Sequence, residues 1–256
     1  MKNKIIKLSK RKIKNNISKE ARPKIFVYKN LDSTNTHAKR LLKDNKICGN
    51  TLILAEHQSA GRGRCGKDFY SPMSEGLYMS LCFTESTSLS PIFLSTVCAV
   101  ATAEAIEELT GLDAKIKWVN DIYIEDKKAC GILCESTPTP DGFGIILGIG
   151  VNTATKSFPE FENNTPTSVG NIDRNVLCAK IYEKILCYKV KDSDCRAKYK
   201  ARSYLDGKNI TVYTQNGQYT ARALGIDDSC GLVILLDGQE SPITLTSGEV
   251  SVRVEN

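Results

Sequence analysis

The sequence predicts an α+β protein with a small β-barrel at its C-terminal end. Strand-like apolar runs and helical patterns are interleaved over residues 25–204. After Gly207 the hydrophobic period changes to two, the mark of half-buried strands. The 256 residues, 41% hydrophobic and 25% charged, suffice to bury a core without disulfide or metal staples. That composition excludes a disordered chain, collagen or a coiled-coil rod.

IFVYK (25–29) reads as a strand. LDSTNTHAKRLLKDN then turns into a helix, with Ser33 or Thr34 placed to cap it and Ala38, Leu41 and Leu42 on one face. TLILAEH (51–57) and GLYMSLCF (76–83) are strands. IFLSTVCAVATAEAIEEL (92–109) is the most apolar stretch, but Ser, Thr and Glu interrupt it. It falls short of the roughly 18 apolar residues that mark a membrane span, and reads as a buried helix stopped by Gly111. KIKWVNDIYIEDKKACGILCES (115–136) reads as two strands joined by a charged turn at Glu125–Lys128, and GFGIILGIGVN (142–152) as another strand. Residues 154–171 form a loop; helices follow at Asp173–Val190 and 194–205. KNITVYT, YTARALGI, GLVILL, SPITLT and EVSVRV are five short strands with NG and DG turn signals, a set that suits a small barrel. The expected organisation is a basic arm over 1–24, a main domain over 25–204 and a barrel over 205–256.

The net charge of +6 is unevenly spread. Residues 1–24 hold ten basic residues and one acid, Glu20; the rest holds 25 basic and 28 acidic residues, or −3. The arm is expected to be solvated. It lacks the apolar segment of a secretory signal, which points to the cytoplasm, and is too short for a helix-turn-helix domain. The ten cysteines show no C-x-x-C spacing, and His37 and His57 complete no zinc pattern. Most of the cysteines are expected to be small core hydrophobes, and no metal ligands are assigned.

GRGRCGK (61–67) matches G-x-G-x-x-G and most of G-x-x-x-x-G-K. Both patterns need a helix to begin at the last glycine, so that its N-terminus faces phosphate. DFYSP follows instead: Asp68 stands where a magnesium-binding Ser or Thr belongs, and Pro72 opposes a helix. A P-loop and a Rossmann dehydrogenase are thereby disfavoured. What remains is a backbone free to approach a ligand, with two guanidinium forks, Arg62 and Arg64, suited to carboxylate or phosphate; the alternative is a flexible basic loop. In KWVNDIYI (117–124), Asn120 and Asp121 sit between apolar segments and need partners or a ligand. Lys128 either meets an anion in a cleft or is an exposed turn lysine. GIGVN (148–152) either packs flat on a ring-shaped ligand or relieves crowding in the core.

Together LDSTN (31–35), AEHQSAGRGRCGK (55–67), GLYMSL (76–81), KWVNDIYI (117–124), KKACGIL (127–133) and GIGVN (148–152) resemble the biotin–protein ligases, the biotin-[acetyl-CoA-carboxylase] ligase family. The likeness spans residues 25–255 and includes GEVSVR (248–253). It implies a mixed sheet flanked by helices, followed by an SH3-like barrel. It implies ATP-dependent activation of biotin to biotinyl-5′-AMP, then transfer to a lysine of a biotin carboxyl carrier domain, with Mg²⁺ as counter-ion. Lys128, Arg62 and Arg64 are the implied catalytic cations. Ser33, Thr34 and Asn35 would hold biotin's ureido head, with Gln58, Gly61, Gly63, Gly131, Gly148 and Gly150 completing the biotin site beside those cations. Arg64, Lys67, Phe69, Asn120, Asp121 and Asn152 would face the nucleotide.

Some residues depart from the family pattern. Val119 replaces a usual proline, which predicts a looser turn. Lys67 stands for a frequent Arg, Cys65 for a basic residue and Phe69 for a frequent Trp. Phe69 has a smaller stacking face, so adenylate retention is expected to be weaker than in a Phe69→Trp variant. The short arm predicts a monofunctional ligase without sequence-specific DNA binding. No membrane partner is expected, and pairing of a sheet edge into a homodimer is left open. The rival readings are a lipoate ligase or octanoyltransferase of the same fold, and a non-catalytic basic binding protein.

Overall fold

The computed structural model describes residues 6–85, 90–140, 142–160, 165–190, 192–214, 217–246 and 251–254. After a short helix α1 (Lys10–Asn15), a seven-stranded sheet forms from β1 (Lys24–Leu31), β2 (Thr51–Gln58), β3 (Gly76–Glu85), β4 (Lys115–Lys117), β5 (Asp121–Ile124), β6 (Lys127–Thr139) and β7 (Gly142–Asn152). The strand order is β1-β2-β3-β7-β6-β5-β4. β1 and β2 are parallel and the other pairs antiparallel, so the sheet is mixed. Helix α2 (Thr34–Lys43) makes the crossover between β1 and β2, as a parallel pair requires. Ser33 is its N-cap, accepting from the Thr36 amide.

Both faces of the sheet are covered, which is why β2 reads as an unbroken apolar run. Ile53 points to α2, with Ala38, Leu42, Cys82 and Ile146. Its neighbours Leu52 and Leu54 point to the opposite core, which α3 (Pro91–Thr110), α4 (Arg174–Val190) and α5 (Asp192–Ala201) cover. α3 begins at Pro91, where the missing N–H leaves no intrahelical bond unmade. It ends at Gly111, whose φ of 72° suits glycine. No helix among the described residues is long and apolar enough to cross a membrane.

The structure departs from the sequence reading in three places. Residues 115–124 are two strands, because the chain folds back at Trp118–Asn120 and pairs Lys117 with Asp121. The following turn is only Glu125–Asp126, both at positive φ, the geometry of tight hairpins; Lys128 therefore lies on β6.

The N-terminal arm, expected in solvent, is docked. Leu8, Ile13 and Ile17 are buried. The Leu8 amide donates to Glu56 Oε1 (2.7 Å), and the Ser9 amide donates to Asn175 Oδ1 (2.7 Å). Arg174 donates to the Ile6 carbonyl (2.9 Å) and pairs with Glu56 (2.8 Å). Lys7, Lys10, Arg11, Lys12 and Lys19 are exposed while three spaced apolar residues anchor the segment.

The C-terminal strands β8 (Asn209–Thr214), β9 (Gly217–Ile226), β10 (Leu232–Leu236), β11 (Ile243–Leu245) and β12 (Ser251–Val254) form an antiparallel sheet, ordered β11-β10-β9-β8-β12. The expected barrel is not closed: among the described residues, β11 and β12 do not pair. Its inner residues, including Ile210, Val212, Ala223, Leu232 and Val252, belong to the main core. A sheet with one face already covered needs no closure to bury it.

Candidate active site

The site begins where β1 hands over to α2. The Thr34 amide and hydroxyl both donate to Gln58 Oε1, at 2.8 and 3.1 Å. Asn35 donates to the Leu133 carbonyl (3.0 Å) and to Glu135 (2.9 Å), and accepts from the Ser80 hydroxyl (2.6 Å). Ser33, Thr34 and Asn35 are buried, so the helix start is a fixed polar end wall. Gly148 lies directly against Asn35; a methyl group there would collide with the amide.

From Gln58 a relay continues to Ser71 Oγ (2.9 Å), which donates to the Phe69 carbonyl (2.9 Å). The intervening Gly/Arg segment folds back on itself. The backbone at Arg62 pairs antiparallel with that at Asp68: the Gly63 amide donates to the Lys67 carbonyl (2.7 Å), and the Phe69 amide donates to the Gly61 carbonyl (2.9 Å). No helix starts at Gly66: one turn, Arg64–Gly66, ends in extended backbone at Lys67.

Arg64 reaches across the cleft to Asn120 Oδ1 (3.3 Å), and Asn120 Nδ2 is tied to the Ile132 carbonyl (2.6 Å). Asp121 Oδ2 meets Lys128 Nζ at 2.7 Å. A bulge aims this lysine. Cys130 and Ile132 face the α3 core, and strict alternation would send Lys128 there too. The β5–β6 register slips so that Ile122 opposes Cys130 while Tyr123 opposes Lys128, which turns the side chain to the Gly131 face. Asn152 donates to the Thr167 carbonyl (3.1 Å), and the Thr167 amide donates to the Lys128 carbonyl (2.9 Å).

Two cavities result. One of about 550 Å³ is lined by Arg62, Gly63, Arg64, Lys67, Phe69, Asn120, Asp121, Lys128, Gly131 and Asn152. A second, of about 30 Å³, lies among Ser33, Thr34, Asn35, Gln58, Gly148 and Gly150 and also touches Arg62, Phe69 and Gly131. Gly61 lines neither; it packs behind Phe69, Ser71 and Gln58. A cluster of cations thus faces a volume of ligand size, next to a small polar-ended slot.

The matching family models are the "Biotin/lipoate A/B protein ligase family" over residues 27–152 and the "Biotin protein ligase C terminal domain" over residues 207–253. The "Bifunctional ligase/repressor BirA" of Bacillus spizizenii is 30% identical, the match covering 96% of this chain and 79% of that protein. The chain belongs to the biotin protein ligase family. The BirA of Escherichia coli K12 is 31% identical over 87% of this chain and 72% of its own length. A biotin protein ligase from Aquifex aeolicus, solved in complex with biotin and ATP, superposes with a TM-score of 0.79 at 27% identity, covering 91% of this chain and 99% of that one.

Within this family member, the residues lining the larger cavity that the sequence reading did not assign to the site include Lys117, Trp118 and Arg253. Lys117 is only 9% exposed, and its Nζ sits 5.2 Å from the Tyr123 ring centre. Burial pushes its pKa down to about 8 against the pull of Asp121, and Lys128, Lys67 and Arg253 push it the same way. Arg253 comes from β12, stacked on Tyr213 at 4.3 Å. Both lie in quoted segments, KWVND and GEVSVR, but a lysine at a strand end carries no local sign of burial. Val119 stands in the turn that its substitution for proline was expected to loosen. It is buried, and its carbonyl accepts the Tyr199 hydroxyl at 3.1 Å.

Proposed function

We propose that this chain is a biotin–protein ligase that joins biotin to ATP in the cleft and then passes the biotinyl group to a lysine of a biotin carboxyl carrier domain. The observation that carries this reading is the meeting, at Arg62, of a buried polar end wall with a cavity lined by Arg64, Lys128, Lys67 and Lys117. Its likeness to a ligase solved with biotin and ATP supports the same assignment.

In this reading Ser33, Thr34 and Asn35 hold the ureido head and the acyl chain runs past Gly131 toward Lys128. A carboxylate oxygen attacks the α-phosphorus. A P–O bond forms, the bond to the β-phosphate breaks, and pyrophosphate leaves with the electron pair. Two anions must be brought together, so fixed cations that face the developing charge lower the barrier. Lys128 and Arg62 stand where carboxylate and phosphate meet, and Arg64, Lys67 and Asn120 receive the nucleotide. Phe69 supplies an apolar surface that keeps water from the mixed anhydride. The carrier amine then attacks the acyl carbon: a C–N bond forms, AMP departs and the amine loses a proton.

Magnesium fits this donor set. No group of three or more His, Cys, Asp or Glu side chains that could hold a metal ion by themselves exists among the described residues, and Mg²⁺ is commonly held by one or two carboxylates plus substrate phosphates. Asp121 would provide the carboxylate, since its buried Oδ1 has no hydrogen-bond partner among the described residues. The ion would supply charge neutralisation on the phosphates.

The deciding experiment is exchange of labelled pyrophosphate into ATP, with biotin, lipoate or neither added. Exchange that requires biotin supports the reading. Exchange with lipoate alone assigns the cleft to the lipoate branch of the fold, and no exchange with either overturns ligation. Lys128→Gln is expected to slow biotin-dependent exchange by about 10²–10³-fold, the scale of losing one preorganised charge-stabilising group.

A further inference from the structure

The two cavities share Arg62, Phe69 and Gly131, and of these Phe69 places a ring over the sheet floor between them. Phe69 lines both. Its ring lies against the glycines of the sheet floor: a methyl group at Gly150 would come within 2.5 Å of a ring carbon, and one at Gly131 within 3.1 Å. Tyr78 packs edge-on against the same ring, 6.4 Å between centres. The polar-ended slot beyond keeps only about 30 Å³, room for roughly two water molecules. A fused bicyclic ring cannot enter while Phe69 occupies that floor.

The main chain at Phe69 is held at both ends of the residue. Its amide donates to the Gly61 carbonyl at 2.9 Å, and its carbonyl accepts from Ser71 Oγ at 2.9 Å. Rotation of the side chain is therefore the economical way to clear the slot, and the 550 Å³ cavity on the other side has space to receive the ring. The Ser71 hydroxyl is in turn held by Gln58, which accepts from Thr34. The end wall that a ligand head would touch is thus wired to the gate's own backbone.

We propose that Phe69 is a gate. The incoming bicyclic ligand displaces its ring from Gly131 and Gly150 into the larger cavity, and residue 69 sets how fast the slot fills. This rests on the preceding reading of the ligand as biotin. Phe69 acts by occupying space, and takes no part in bond making.

Trp118, the only tryptophan, lines the receiving cavity and reports the event by its emission in stopped-flow mixing of the full chain with biotin. The observed rate is expected to level off with rising biotin, because ring displacement becomes limiting. Phe69→Ala should associate about tenfold faster and without a plateau, as expected when a roughly tenfold-favoured closed state is removed. Phe69→Leu serves as the second variant should the alanine fold poorly. A parent rate that stays linear, with the smaller variants no faster, overturns the gate. Crystals of the ligand-free chain decide the matter without ligand: a ring on Gly150 supports the gate and an open floor overturns it. Failure of biotin to bind at all would overturn the functional reading instead, leaving the crystal test of the gate intact.

Discussion

Lys117 carries the sharpest expectation at the level of single residues. Its folded form sheds a proton near pH 8, whereas its ordinary value is 10.5. Burial of the charged amine therefore costs stability below about pH 8, and that cost fades as pH rises from 8 to 10.5. An anion beside the amine restores the charged form, so binding of ATP's phosphates draws in a proton. KM for ATP is expected to rise as pH passes about 8, and Lys117→Met should abolish that rise. A profile unchanged in the variant would remove Lys117 from the phosphate site. Lys128 shows what a sequence displays and what it hides. That a cation stands here was legible from KKACGIL. That it faces the cleft depends on the bulge at Ala129, and no residue type in that stretch announces a register slip.

Among the elements, the turn between β4 and β5 is held from outside itself. Tyr199 on α5 donates to Val119, and Trp118 Nε1 donates to the Cys230 carbonyl at 3.0 Å. These partners lie 80 and 112 residues away, so reading 115–124 as one strand was the natural local inference and tertiary contacts overrode it. Tyr199→Phe keeps the ring and deletes one hydrogen bond to the turn. It is expected to cost about 1 kcal/mol of stability and to raise KM for ATP several-fold while leaving biotin binding unchanged. Tyr182→Phe is the matched control, because its hydroxyl donates to the Ala21 carbonyl (2.6 Å), on the N-terminal segment. A similar stability loss with unchanged kinetics separates positioning from mere packing. By contrast α3 was legible almost to the residue, since its apolar run and Gly111 are local signals. Ile53→Ala, on the α2 face of β2, should cost about 2–5 kcal/mol by leaving a cavity, measurable by denaturant unfolding, with the site's geometry otherwise kept.

For the whole molecule, charge misled where three apolar residues decided. The arm reads as solvated because ten of its first 24 residues are basic, yet Leu8, Ile13 and Ile17 seat it and buried Glu56, Arg174 and Asn175 bond its backbone. Removing residues 1–9 takes away the bonds these groups make to the arm, leaving Glu56 and Arg174 paired with each other and Asn175 with Asp173. The expected loss is about 2–4 kcal/mol, seen as a drop in Tm of about 5–15 °C for a chain of this size. An unchanged Tm would show that the arm contributes nothing to the fold.

β7 sits between β3 and β6 in the sheet, although it is the last of the seven strands in the chain. Until residues 142–152 have left the ribosome, the sheet exists as two fragments, one from the first 85 residues and one from 115–139, each with a naked hydrogen-bonding edge. A nascent chain paused before that strand is therefore the species most exposed to chaperones and to illicit strand pairing. Synonymous codons that slow synthesis there should lower yield more than the same codons placed after Asn152.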